Sequence, residues 1–228
     1  MGILYLVATP IGNMEDVTLR TIRVLKETAI IAGEDTRKTG LLFQKLGIKE
    51  NQRFISYYEE NEARRIPEII ALLKEGSSVA LVSNAGTPTI SDPGFKLVRE
   101  CVANEIRVEA IPGPSAILAA LVSSGLPTDK FLFLGFLPKK QGKRVKVLKD
   151  SLSLPFSTTV IFFESPYRLI KTLADFLTVF GDREIVVACE LTKLFERVEK
   201  KKISEFIESF KKTKPRGEYT LLINLCGK

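Results

Sequence analysis

Apolar residues fall in short blocks whose spacing alternates between two kinds. Residues 3–9 are almost continuously apolar, as in a parallel strand buried on both faces. Val17, Leu19, Ile22 and Leu25 then recur at helical spacing, predicting a helix over about 16–26 and a second strand from Ala29 to Gly33. Helices over 39–46 and 62–75 flank a short strand at 54–57. A strand at 79–82, an amphipathic run from Phe95, a strand at 108–111 and a helix of small residues to Ser124 complete the first half. In the second half, strands at 131–136, 159–164, 184–191 and 220–225 alternate with helical patterns over 166–180 and 204–212. Residues 196–202 read as a charged edge strand. The pattern predicts an α/β protein of two α/β domains, 1–125 with a parallel sheet and 126–228 antiparallel in part.

The loops are less ordinary than the strands. Four strand ends in the first half lead into segments of unusual composition: 9–13, 33–38, 83–94 and 112–116. In a parallel sheet these ends share one edge, where open α/β sheets bind ligands. The longest, 83–94, exceeds what a strand-to-helix turn needs, which favours a functional loop. Within it, Asp92 is expected to cap the following helix, with Pro93 in its first turn.

Composition narrows the chemistry. The chain has no histidine, so Ser-His or Cys-His nucleophile pairs are excluded and a Cys/His metal site is not expected. Cys101, Cys189 and Cys226 are far apart in apolar surroundings, which reads as buried free thiols in a reducing cytoplasm. No apolar run approaches the roughly 20 residues of a membrane span, and no signal segment precedes the first strand. The net charge of +7 is uneven: residues 1–125 carry 14 basic and 15 acidic side chains, residues 126–228 carry 20 and 12. A basic half suggests a polyanionic partner, nucleic acid first, against the alternative of a lysine-rich surface.

Seven segments in order carry a resemblance: Thr9 to Asn13, Glu34 to Arg37, Asn84 to Gly94, Ile111 to Ala116, Phe162 to Arg168, Glu190 to Lys193, and Pro215 to Tyr219. Together they resemble the RNA branch of the tetrapyrrole methylase superfamily, the bacterial 16S rRNA cytidine ribose 2′-O-methyltransferases. The resemblance implies two α/β domains with S-adenosyl-L-methionine in the cleft between them, a homodimer, and the decoding centre of 16S rRNA or the small ribosomal subunit as partner. Gly86-Thr87-Pro88 stands where porphyrin-precursor methylases of the superfamily carry Gly-Asp-Pro, which points toward the RNA branch. Some RNA-branch members carry a further C-terminal segment. This chain stops at Lys228, so its basic second domain is the candidate for gripping RNA.

Carried over residue by residue, the resemblance implies cofactor contacts from Pro10, Gly86, Thr87, Ile90, Ser115 and Ala116, and from Phe163, Leu191 and Thr220. For Phe163 and Leu191 plain core packing is the competing reading; for Ser115, a helix cap. The implied reaction is attack of a ribose 2′-hydroxyl on a sulfonium methyl group. Asp35 or Glu34, beside Arg37, are first choice for taking the proton; Glu164 is second, and Glu190 is also available. Glu34 to Arg37 also reads as an ordinary helix start. Alignment of oxygen, carbon and sulfur alone supplies much of such a rate. Asn13, Arg37, Lys38, Asn84, Arg168 and the 139–146 run are candidates for contacting RNA. A small-molecule methylase acting on a porphyrin precursor and a non-catalytic nucleic-acid-binding protein remain the alternatives.

Overall fold

The computed structural model describes residues 1–49 and 51–225. Cys226 therefore lies outside the described residues. The chain divides into two compact units, Met1–Ser115 and Ala116–Lys228.

The first unit holds a sheet of β1 (Leu4–Val7), β2 (Ile30–Gly33), β3 (Arg53–Ser56), β4 (Val79–Val82) and β5 (Val108–Ile111), in the order β3-β2-β4-β1-β5. Every pairing is parallel. The three central strands, β1, β2 and β4, are apolar at successive positions because both faces are covered, whereas the edge strands carry Arg53, Ser56 and Glu109. Leu4, Ala32, Val79 and Leu81 pack against Ile69, Leu73, Leu97 and Cys101 of α3 (Glu62–Lys74) and α4 (Phe95–Ala103). Val7, Ile31, Ala80 and Val82 pack against Val24, Leu25 and Phe43 of α1 (Leu19–Glu27) and α2 (Thr36–Lys45). The carboxyl ends of all five strands consequently share one edge.

Helix starts differ from the sequence reading at several places: α1 begins three residues late, at Leu19, and two others bear on the site. α2 begins at Thr36, three residues early, because Asp35 caps it by accepting the Arg37 N–H at 3.0 Å. α4 begins at Phe95, after Pro93, and neither Asp92 nor Pro93 starts it. Its cap is Gly94 at φ +133°, where a Cβ would lie 2.7 Å from Leu81 Cδ2. The Gly94 N–H goes instead to the buried Glu62 carboxylate on α3, at 3.1 Å. A distant acid thus takes the role that Asp92 was expected to play.

The second unit opens with α5 (Ala116–Ser123), which packs on β10 (Tyr219–Leu225) and so groups with this unit rather than with residues 1–115. Its sheet contains β6 (Phe131–Phe136), β7 (Thr158–Glu164), β8 (Glu184–Cys189) and β9 (Arg197–Lys202), in the order β6-β7-β10-β8-β9. Only β6 and β7 are parallel; the remaining pairs are antiparallel. Leu148, Leu173, Phe176, Ile203 and Phe206 of α6 (Gln141–Ser151), α7 (Leu169–Phe180) and α8 (Ile203–Lys212) close one core over it. The lysine-rich β9 forms an edge, as its charge demands. No helix of the described residues is long and apolar enough to cross a membrane.

Candidate active site

The loops at the carboxyl edge of the first sheet are stitched to one another by hydrogen bonds. Thr9 and Gly86 exchange both backbone bonds at 2.9 Å, clamping the loop after β1 to the loop after β4. The Thr87 hydroxyl donates to the Pro114 carbonyl at 3.3 Å, tying in the loop after β5. On the other side the Asn84 N–H donates to Glu34 Oε2 at 3.3 Å, tying in the loop after β2. Four loops separated by up to about a hundred residues of chain thus form one surface.

Residues 83–94 are held in a costly shape. Thr89 and Ser91 both have positive φ (74° and 62°), a conformation that only a surrounding scaffold maintains in non-glycine residues. Between them Ile90 is 43% exposed. Gly86, at φ +79°, has only Ile11 and the Pro114 carbonyl within 4 Å of an added Cβ. With Ala85, Thr87 and Ser115 it leaves a surface of small side chains and backbone that suits close approach of a ligand. Pro10 lines an adjoining hollow of 280 Å³ with Lys38, Lys45 and Asn84. A second hollow of 380 Å³, also bounded by Asn84, contains Glu34, Asp35, Arg37, Ser56 and Tyr58.

The acids of this edge are not equivalent. Asp35 caps α2 and is also gripped through Arg37 Nε and Nη2 at 3.1 and 3.0 Å. The Arg37 guanidinium holds its carboxyl below the ordinary value. A carboxylate so occupied is a poor proton acceptor, which tells against Asp35 as base. Asn13 spends its side-chain oxygen on the Glu15 N–H, starting the short 3₁₀ turn Met14–Asp16. Asp92, released from capping, is pushed up to about 6 by burial and by the facing charge of Glu34, against a hydrogen bond from Ser83. It is the acid the sequence reading missed, because Asp-Pro before an amphipathic run looks like a helix start.

In the second unit the register brings together the three residues expected at the cofactor. Thr220 stands opposite Phe163 on β7 and Ala188 on β8, and Leu191 lies two residues beyond β8. Phe163 is half-buried and packs edge-on against Phe133, with centroids 4.8 Å apart. Leu191 and Thr220 are buried. Leu191 sits between two positive-φ residues, Glu190 and Thr192.

Glu164 is placed differently from expectation. Its carboxylate meets Arg168 Nη2 at 2.6 Å, the Thr172 hydroxyl at 2.5 Å and the Ser165 N–H at 2.7 Å, all buried or nearly so. Both oxygens are engaged in holding the start of α7, which tells against a role as base. Arg168 is correspondingly turned inward, donating to the Leu137 carbonyl at 2.8 Å, and is poorly placed for phosphate. In the basic run, Arg144 is buried against Asp175, whereas Lys139, Lys140, Lys143 and Lys146 are exposed. Glu190 is paired with Lys193 at 2.9 Å. Among the described residues no cluster of three potential metal ligands occurs.

The tetrapyrrole (corrin/porphyrin) methylase model matches residues 3–207. The chain belongs to the tetrapyrrole methylase family. Solved members share the fold: uroporphyrin-III C-methyltransferase of Thermus thermophilus, determined with S-adenosyl homocysteine, gives a TM-score of 0.67 at 20% identity over 97% of both chains. Cobalt precorrin-4 methyltransferase gives 0.70 at 16%, over 99% of this chain and 94% of that one. Much higher identity is found to proteins named ribosomal RNA small subunit methyltransferase I. That of Thermotoga maritima is 47% identical over 98% of this chain and 99% of its own length. That of Streptococcus pyogenes is 45% identical over 97% of this chain and 76% of its own. Within this methylase, the stitched edge of the first sheet and the Phe163–Leu191–Thr220 group of the second are the two places where motif residues converge.

Proposed function

We propose that this methylase transfers a methyl group from S-adenosyl-L-methionine to the ribose 2′-oxygen of a cytidine in the decoding centre of 16S rRNA, acting in the cytoplasm as a homodimer on the small ribosomal subunit. The observation that carries the reading is the 47% identity, over nearly the full length of both chains, to a protein named for small-subunit rRNA methylation. At 16–20% identity the porphyrin and corrin methylases share the fold and no more.

The residues present fit the cofactor. In the first unit Gly86, Thr87 and Ser115 let backbone groups meet its amino-acid part, and in the second the half-buried ring of Phe163, beside Thr220 on β10, is of the kind that packs on adenine. Pro10, Ile90 and Ala116 complete the assignment. When bound, the cofactor supplies a methyl group on a positively charged sulfur. The chain's own task is then to hold the ribose oxygen in line with that carbon and to accept the hydroxyl proton. Asp92 is pushed up to about 6 by burial and by the charge of Glu34, so its carboxylate takes up a proton readily near neutral pH. We assign proton acceptance to Asp92 in place of Asp35 and Glu164. Arg37, Lys38 and the exposed lysines of α6 supply phosphate contacts, which set affinity and not the choice of base.

The test offers labelled S-adenosyl-L-methionine with isolated small subunits, large subunits and uroporphyrinogen III. Label is expected in small-subunit RNA alone. Label in the tetrapyrrole, with none in RNA, rejects the reading.

A further inference from the structure

The 380 Å³ hollow beside Asn84 has a lining that phosphate binding does not explain. One wall is Tyr58, 40% exposed, in a chain whose preceding residue Tyr57 is fully buried. Tyr58 is not left to wander. Its N–H donates to Asn61 Oδ1 at 2.9 Å, its carbonyl accepts the Asn61 N–H at 3.0 Å, and Asn61 Nδ2 returns to the Ser56 carbonyl at 3.0 Å. Asn61 is itself buried, so the turn that presents the ring is fixed before any ligand arrives. The same hollow is lined by two carboxylates, Glu34 and Asp35, which repel a phosphate backbone. Glu34 accepts the Asn84 N–H through Oε2, and among the described residues nothing donates to Oε1. The Arg37 side chain, 88% exposed, closes the rim.

An aromatic face, a carboxylate acceptor and a side-chain amide around a cavity of this size match an unstacked nucleobase. Sequence-specific proteins bind single-stranded RNA by splaying out a base, stacking it on an aromatic ring and reading its polar edge. A carboxylate accepts from the N4 amino group of cytosine and repels the O4 of uracil. The volume lies in the ordinary range of roughly 300–1,000 Å³ for small-molecule sites.

Resting on the function proposed above, we propose that this hollow is the socket for the target cytosine, with Tyr58 as its stacking wall and Glu34 and Asn84 reading the amino edge. Glu34 both lines the socket and acts electrostatically on Asp92, so a base seated there brings its own ribose toward the edge where the proton is to be accepted.

The test titrates small subunits from a strain lacking this activity against the full-length protein and its Y58A, Y58F and E34Q variants, with cofactor affinity measured separately by calorimetry. Y58A is expected to raise KM for subunits about tenfold or more, while the cofactor Kd stays within about twofold. Y58F, which keeps the ring, recovers most of that loss. On subunits whose target cytidine is replaced by uridine, E34Q is expected to narrow the preference for cytidine by about tenfold, since a glutamine amide donates to O4. A Y58A protein with wild-type KM, or one whose cofactor Kd worsens in step with KM, overturns the socket and leaves the function standing. A wild-type protein that methylates no RNA overturns the function and the socket with it.

Discussion

Asp92 is an acid whose protonation the fold controls. Burial and the charge of Glu34 raise it from 3.8 to about 6, so the folded chain holds its proton more tightly than the unfolded one. Its contribution to stability is therefore full below pH 3.8 and is lost as pH rises through about 6. Asp92→Asn is expected to stabilise the protein at pH 8, with a ceiling of about 3 kcal/mol reduced by partial solvent exposure, and to change little at pH 4. Urea midpoints at the two pH values check this; equal midpoints at pH 8 reject the buried-acid account. At the same scale, Asp35→Ala removes the cap of α2 and should cost about 1 kcal/mol by the same assay. The two acids show what sequence reveals of a site. Asp35 sits before a helical run, and a helix start at Glu34 to Arg37 was readable beside the catalytic expectation that its grip by Arg37 tells against. Asp92 sits before a helical run too, but Glu62, thirty residues away in sequence, takes the Gly94 N–H and frees it. Local pattern carries no trace of that exchange.

Among the elements, the loop between β4 and α4 is pinned at both ends. The Thr9–Gly86 bridge fixes its start and Glu62 its finish. Burial opposes the Glu62 charge, yet Lys96, the Tyr57 hydroxyl at 2.7 Å and the Gly94 N–H together hold its carboxyl below the ordinary value. Glu62→Ala leaves the Tyr57 hydroxyl and the Gly94 N–H without their acceptor, and should destabilise by about 2–4 kcal/mol in urea unfolding. Gly94→Ala adds a Cβ into Leu81 at a φ that disfavours side chains, and a loss above about 2 kcal/mol is expected. If both variants unfold like wild type, the loop is not held this way. The central strands were legible because a strand buried on both faces is apolar almost throughout, as 3–9 and 79–82 are. The stitching between loops was not legible, since it runs through backbone groups that every residue possesses.

For the whole molecule, the uneven charge is the property that sequence alone displays. Five exposed lysines in and just before α6, and the lysines of β9, leave the second half basic, while Arg144 and Arg168 are spent on internal acids. Fewer phosphate contacts are thus available than the basic count suggests, but salt should still govern affinity. Raising salt from about 50 to 200 mM is expected to weaken binding to small subunits at least about tenfold, measured by filter retention. Salt-independent binding contradicts an RNA grip. Family was readable from seven motifs in order, spread over nearly the whole chain. The nucleobase socket was not, since Ser56 and Tyr58 belong to no motif and meet Glu34 and Asn84 only in the fold.

The measurement that bears most directly on the central claim is alkaline hydrolysis of the RNA recovered after methyl transfer. A ribose 2′-O-methyl group removes the nucleophile needed for strand cleavage, so the label is expected in an alkali-resistant dinucleotide whose first nucleoside is cytidine. Label released entirely as mononucleotides would place the methyl group on a base and contradict the account.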